Sequence, residues 1–151
     1  VSEHISDPRA VELALWFHDF VYNPRRQDNE NISAEYAVST LSLMKLPKAQ
    51  RDAVRDLILV TRHPSWPVTE DQKWMVDIDL AILGADPAVY EAYAQQVRKE
   101  YVHVPDAMFA AGRKAVLESL LNESALYHTD YFRQHLESKA RDNLACEIAG
   151  L

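Results

Sequence analysis

Glycine is scarce in this chain, with 3 residues in 151 against 7 prolines. Tight β-hairpins draw on glycine for their positive φ angles, so an all-β architecture is disfavoured. There is one cysteine, Cys146, which excludes an internal disulfide. Within a helical pattern such a thiol reads as a small buried apolar residue of a protein from a reducing compartment. No apolar run approaches the length of a membrane span, and nothing at the start resembles a signal peptide. The expectation is a cytoplasmic protein with no membrane partner. Basic clusters are also missing: Arg25-Arg26 is the only adjacent basic pair before Arg98-Lys99. With a formal net charge of -7, nucleic acid is not expected as a broad surface ligand. A small anion held through a metal stays open, because a bound cation outweighs the field of distant carboxylates.

What is present is an ordinary globular balance, 48% apolar and 26% charged, which argues against gross disorder. The length suits one domain with a real core. Helical punctuation recurs along it. Asp7-Pro8 is an N-cap followed by proline at the first helical position. The helix it opens carries Val11, Leu15 and Tyr22 on one face beside Ala14, and Pro24 stops it. A second helix is predicted from about Asn29 to Lys45. A third opens at Pro47 and ends before Pro64. A fourth is capped by Thr69-Glu70-Asp71, with Gly84 as its left-handed stop. Asp86-Pro87 starts a fifth toward Tyr101. Pro105-Asp106 opens a sixth, with Met108, Phe109, Val116, Leu117, Leu120 and Leu121 apolar. The last runs from about Asp130 to Ile148. No segment alternates long enough for a strand. The fold class is therefore all-α, a compact bundle of about seven helices.

Two polar insertions stand out. His18-Asp19 lies inside Ala14-Leu15-Trp16-Phe17-His18-Asp19-Phe20-Val21, and heptad spacing from Val11 puts His18 on the inward face. Burying a charge costs several kcal/mol unless it is paired or bound to a metal. The second insertion is Asp77 and Asp79 within Val76-Asp77-Ile78-Asp79-Leu80-Ala81-Ile82-Leu83. Residues two apart on a helix point in different directions, so the two carboxylates take different jobs. Asp28-Asn29-Glu30 opens the second helix and Arg62-His63 closes the third. Helix-terminus electrostatics alone would explain either group. The remaining histidines, His103, His128 and His135, belong to no metal motif. Arg98, Arg113 and Arg141 read as salt-bridge partners on amphipathic helices.

The order of these groups is informative: His-Asp on one helix, His at the end of a later one, Asp on the next. The set Leu15-Trp16-Phe17-His18-Asp19, Asp28-Asn29-Glu30, Thr61-Arg62-His63, Asp77-Ile78-Asp79-Leu80-Ala81-Ile82-Leu83-Gly84, Glu100-Tyr101 and Gly112-Arg113 resembles the HD-domain superfamily. The closer resemblance is to a branch of predicted metal-dependent HD phosphohydrolases, and it covers nearly the whole chain. The resemblance implies an HD-like helical domain and hydrolysis of a small phosphorylated substrate, a nucleotide or related ester. It implies His18 and Asp19 as metal ligands and Asp79 as the distal ligand, with Asp77 the second choice. Imidazole and carboxylates suit Mn, Fe, Co, Ni, Mg or Zn as the divalent cofactor, and the lack of thiolates argues against a structural zinc site. Glu30 or Asp28 is the candidate proton acceptor, while Arg62 and His63 are candidates to stabilise charge on phosphate. In one respect the sequence departs from the family. HD sites take their first ligand from a His on an earlier helix, and only 17 residues precede His18 here. His4 falls ahead of the first predicted helix. Two expectations follow: a domain truncated at its N-terminus, or a non-catalytic HD-like module that senses a ligand or binds a partner.

Overall fold

A computed structural model describes residues 5–151. His4 lies outside the described residues. The described residues are all-helical, with seven α-helices among them: α1 (Pro8–Phe17), α2 (Asn29–Leu43), α3 (Lys48–Leu59), α4 (Glu70–Asp79), α5 (Pro87–Glu100), α6 (Asp106–Asn122) and α7 (Asp130–Gly150). A 3-10 turn, Leu80–Gly84, follows α4 directly. The chain forms two compact units, residues 1–79 and residues 80–151.

In the first unit the expected cap of α1 is in place. The Asp7 carboxylate accepts from the Ala10 amide at 3.0 Å, and Pro8 follows at the head of α1. Asp71 at the start of α4 accepts from the backbone amides of Ser6 and Asp7 at 2.6 and 3.0 Å, which ties the entry of α1 to α4. The core is a layer of small and branched residues: Val11 and Ala14 from α1, Ala34, Ala37 and Leu41 from α2, Val54, Leu57 and Ile58 from α3, and Met75 from α4. Alanines at these positions let the helix backbones approach closely.

Two details differ from the sequence reading. α1 ends at Phe17, so Tyr22 is not on its face but in the following loop, half exposed. The loop is anchored to α2, where Ser33 Oγ accepts from the Val21 amide at 3.0 Å. α2 ends in a six-to-one capping turn, with the Leu46 amide donating to Leu41 O and the Lys45 amide to Ser42 O. Lys45 takes the left-handed conformation that this turn requires, at φ 61°.

The second unit is built on buried Leu83, Leu117, Tyr127, Phe132, Ala140 and Leu144. Its polar residues are largely consumed in holding backbone. Asn143 Nδ2 donates to Leu83 O and Ala85 O at 2.8 and 2.9 Å. Glu137 accepts from the Leu126 amide at 3.0 Å. The three arginines make the expected salt bridges: Arg98 with Asp106, Arg113 with Glu147 and Arg141 with Glu137. Gly84 is not a left-handed stop, since no described glycine has positive φ. Its role is steric, because a Cβ there would meet Leu136 Cβ at 2.6 Å. Met108 and Val116 are exposed rather than core, because the buried stripe of α6 is narrow and runs through Leu117. Cys146 is also exposed, since α7 buries the face bearing Ala140 and Leu144. No helix among the described residues is long and apolar enough to cross a membrane.

Candidate metal centre

The site lies in residues 1–79, where three helix termini converge. His18 caps α1, its amide donating to Ala14 O at 2.8 Å. Its side chain is positioned from within the same helix, with Nδ1 2.8 Å from Leu15 O. A carbonyl can only accept, so Nδ1 carries the proton and the other nitrogen, Nε2, is directed to the remaining partners. Those partners are carboxylates: Asp19 Oδ2 at 3.4 Å and Asp79 Oδ1 at 3.2 Å. Asp79 is the last residue of α4. Its other oxygen, Oδ2, stands 4.0 Å from His63 Nε2. His63 follows the end of α3, where the buried Thr61 hydroxyl donates to Ile58 O at 2.8 Å. Thr61 thus stays packed inward while Arg62 and His63 are exposed.

The electrostatics follow from that geometry. The hydrogen bond to Asp79 raises the His18 pKa to about 9, burial opposes the rise, and the Leu15 carbonyl and the two carboxylate charges assist it. The pocket is an acceptor set facing a nitrogen, and it is satisfied by one positive charge on or beside Nε2, whether a proton or a metal ion.

The donor set can be tested against metal chemistry. With metal–ligand bonds of about 2.0–2.2 Å, neighbouring ligand atoms stand about 3.0–3.5 Å apart. The contacts of His18 Nε2 with Asp79 and Asp19 both have that spacing. The bond from Nδ1 to a backbone carbonyl is also the outer contact that ligating histidines use to fix their ring. Among the described residues, however, no group of three or more His, Cys, Asp or Glu side chains is gathered to hold a metal ion. The Asp19 side chain is the most exposed of the three, at 62%.

The other residues singled out from the sequence are placed as follows. Asp77 is fully buried, on a different side of α4 from Asp79. Asp28 is the N-cap residue of α2 without a side-chain capping bond. It is gripped in a fork by Arg26 at 2.8 Å through both oxygens. That bond to Arg26 holds its carboxyl below the usual range, with a further contribution from the charge of Arg62. Glu30 sits in the first turn of α2, half-buried. Arg62 and His63 line an open cleft of about 590 Å³ with Asp56, Ser65, Trp66 and Gln72. Trp66 and Gln72 were not singled out from the sequence. The available signal was Pro64-Ser65-Trp66-Pro67, a large aromatic residue in a loop bounded by prolines, and Trp66 is 82% exposed.

No protein-family model, curated protein or solved structure matches the chain.

Proposed function

We propose that this chain is a metal-dependent phosphohydrolase acting on a small phosphate ester, with His18, Asp19 and Asp79 as the metal ligands. The observation that carries the reading is the setting of His18: Nδ1 committed to Leu15 O and Nε2 facing two carboxylates at ligand spacing. A divalent cation at this position would supply Lewis acidity at a phosphoryl oxygen and acidify water. The chain's own residues do the rest. His18 and Asp79 hold the position rigidly because each ends a helix packed in the core. His63 and Arg62, at the mouth of the neighbouring cleft, offset the charge that grows on the phosphoryl oxygens. Glu30 is a better proton acceptor than Asp28, because the bond from Arg26 makes the Asp28 carboxylate a weaker base. The acidic chain suits a small substrate recruited through a cation better than it suits nucleic acid, and a cytoplasmic setting fits the single thiol.

The test is metal retention together with hydrolysis of simple phosphate esters by the purified chain with Mn²⁺, Ni²⁺ or Mg²⁺. Replacing His18→Ala or Asp19→Ala should each lower metal affinity at least tenfold and abolish turnover. Retention of both by either variant refutes the assignment. A second reading, a non-catalytic helical module that senses a ligand, is favoured by one specific observation: among the described residues no group of three or more His, Cys, Asp or Glu side chains is gathered to hold a metal ion. It predicts thermal stabilisation by a small ligand with no turnover under any metal. Turnover that disappears on chelation and returns with metal counts against it.

A further inference from the structure

The second unit carries a groove that the proposed chemistry does not use. It is a trough of about 700 Å³ walled by α5, the start of α6 and α7. All its residues lie within 80–151, so it stands independently of the metal site. Along α5 the lining recurs at Tyr90, Ala94 and Arg98, one stripe at helical spacing. From Pro87 to Arg98 that wall runs about 16 Å, three turns of helix. α7 contributes a matching stripe through Asn143, Cys146, Glu147 and Gly150. Each wall contributes a small residue: Ala94, Ala110 and Gly150.

The floor is rigid. Arg113 Nε bonds Glu147 at 2.7 Å, both side chains are nearly buried, and the Tyr90 hydroxyl donates to the same carboxylate. Arg98 lies over the Phe109 ring at 4.7 Å and is already engaged by Tyr101 O at 2.7 Å, Val104 O at 3.1 Å and Asp106. Its charge is therefore spent inside the unit. What remains toward solvent at the rim is acidic, with Glu91 and Asp142 exposed on opposite walls. An apolar trough three turns long with carboxylates on both lips complements a rod that is apolar along one stripe and positive on its flanks.

We propose that this groove docks an amphipathic α-helix whose apolar stripe is flanked by lysine or arginine. The occupant lays its apolar side chains against Phe109, Tyr90 and the alanines and sets its cations against Glu91 and Asp142.

The test uses the whole chain and two synthetic helical peptides that share one leucine face, with lysine or with glutamate on the flanks. Cys146 is the single cysteine of the chain, exposed and on the groove wall, so its rate of reaction with a thiol reagent reports occupancy directly. The lysine peptide should bind saturably and slow Cys146 modification at least tenfold. The glutamate peptide should bind at least tenfold more weakly. Ala94→Trp fills the trough and should abolish protection of Cys146. Glu91→Lys with Asp142→Lys should invert the peptide preference while circular dichroism stays unchanged, which keeps the test valid if the tryptophan variant misfolds. Equal binding of the two peptides, binding that leaves Cys146 unprotected, or protection given only by a small aromatic cation such as benzyltrimethylammonium would each overturn the proposal.

Discussion

His18 is where one residue's surroundings set its chemistry. Its Nδ1 is committed to a carbonyl, so the state of Nε2 decides the character of the site. In the metal-free protein the folded pKa is about 9 against an ordinary value of 6.5. A raised basic pKa means that the charged pair stabilises the fold fully below about pH 6.5, and that this contribution is lost as pH rises through about 9. A metal ion at the proposed site would have to displace the same proton. Metal affinity should therefore climb about tenfold per pH unit between pH 7 and 9 and then level off. Isothermal titration at three pH values checks this, and a flat profile would mean that His18 is not a ligand. His18 and Asp19 could be singled out from the sequence because they interrupt an apolar stretch; the desolvation argument holds for His18, while Asp19 is 62% exposed. The pairing with Asp79 was implied by the resemblance alone, because periodicity does not tell how α1 and α4 cross. Trp66 went unnoticed for the opposite reason: a loop residue has no periodicity to betray it.

At the scale of elements, the helix starts were the most legible feature. Proline and a capping side chain act within one turn, through sterics and orphan amides that need no tertiary partner. Helix ends were less so. α2 closes on a left-handed Lys45, where no glycine marks the turn. That conformation costs an L-residue about 1–2 kcal/mol, and glycine gives back part of the gain through backbone entropy, about 0.5–1 kcal/mol. Lys45→Gly should thus stabilise the chain by about 0.5–1 kcal/mol, seen as a higher midpoint in thermal unfolding. Gly84 invited the glycine-stop reading and has a different purpose. Gly84→Ala would drive a methyl group into Leu136 and the Tyr127 hydroxyl, and should cost about 1–3 kcal/mol by overpacking. An unchanged midpoint for Gly84→Ala would show that the turn can shift away from α7.

For the molecule as a whole, the acidic balance and the helical composition set the class of behaviour. A cation bound at the proposed site would link metal to global stability. Metal at a hundred times its dissociation constant should raise unfolding free energy by about 2.7 kcal/mol if the folded state alone binds. Calorimetric scans with and without chelator measure this, and Asp79→Asn should remove the shift. The same charge argues that the protein will not retard duplex DNA at about 0.1 M salt, where non-specific affinity depends on released counterions.

Sequence alone determined the all-helical class and the helix starts and drew attention to the two polar insertions, because caps and prolines act through short-range sterics and polar residues interrupt an apolar pattern. Tertiary structure decided that Asp79 faces His18 while Asp77 is buried completely, that Cys146 lies on a groove wall, and that Gly84 is a point of close approach. Each of these depends on which faces of distant helices meet, and that choice is made by the packing of the core.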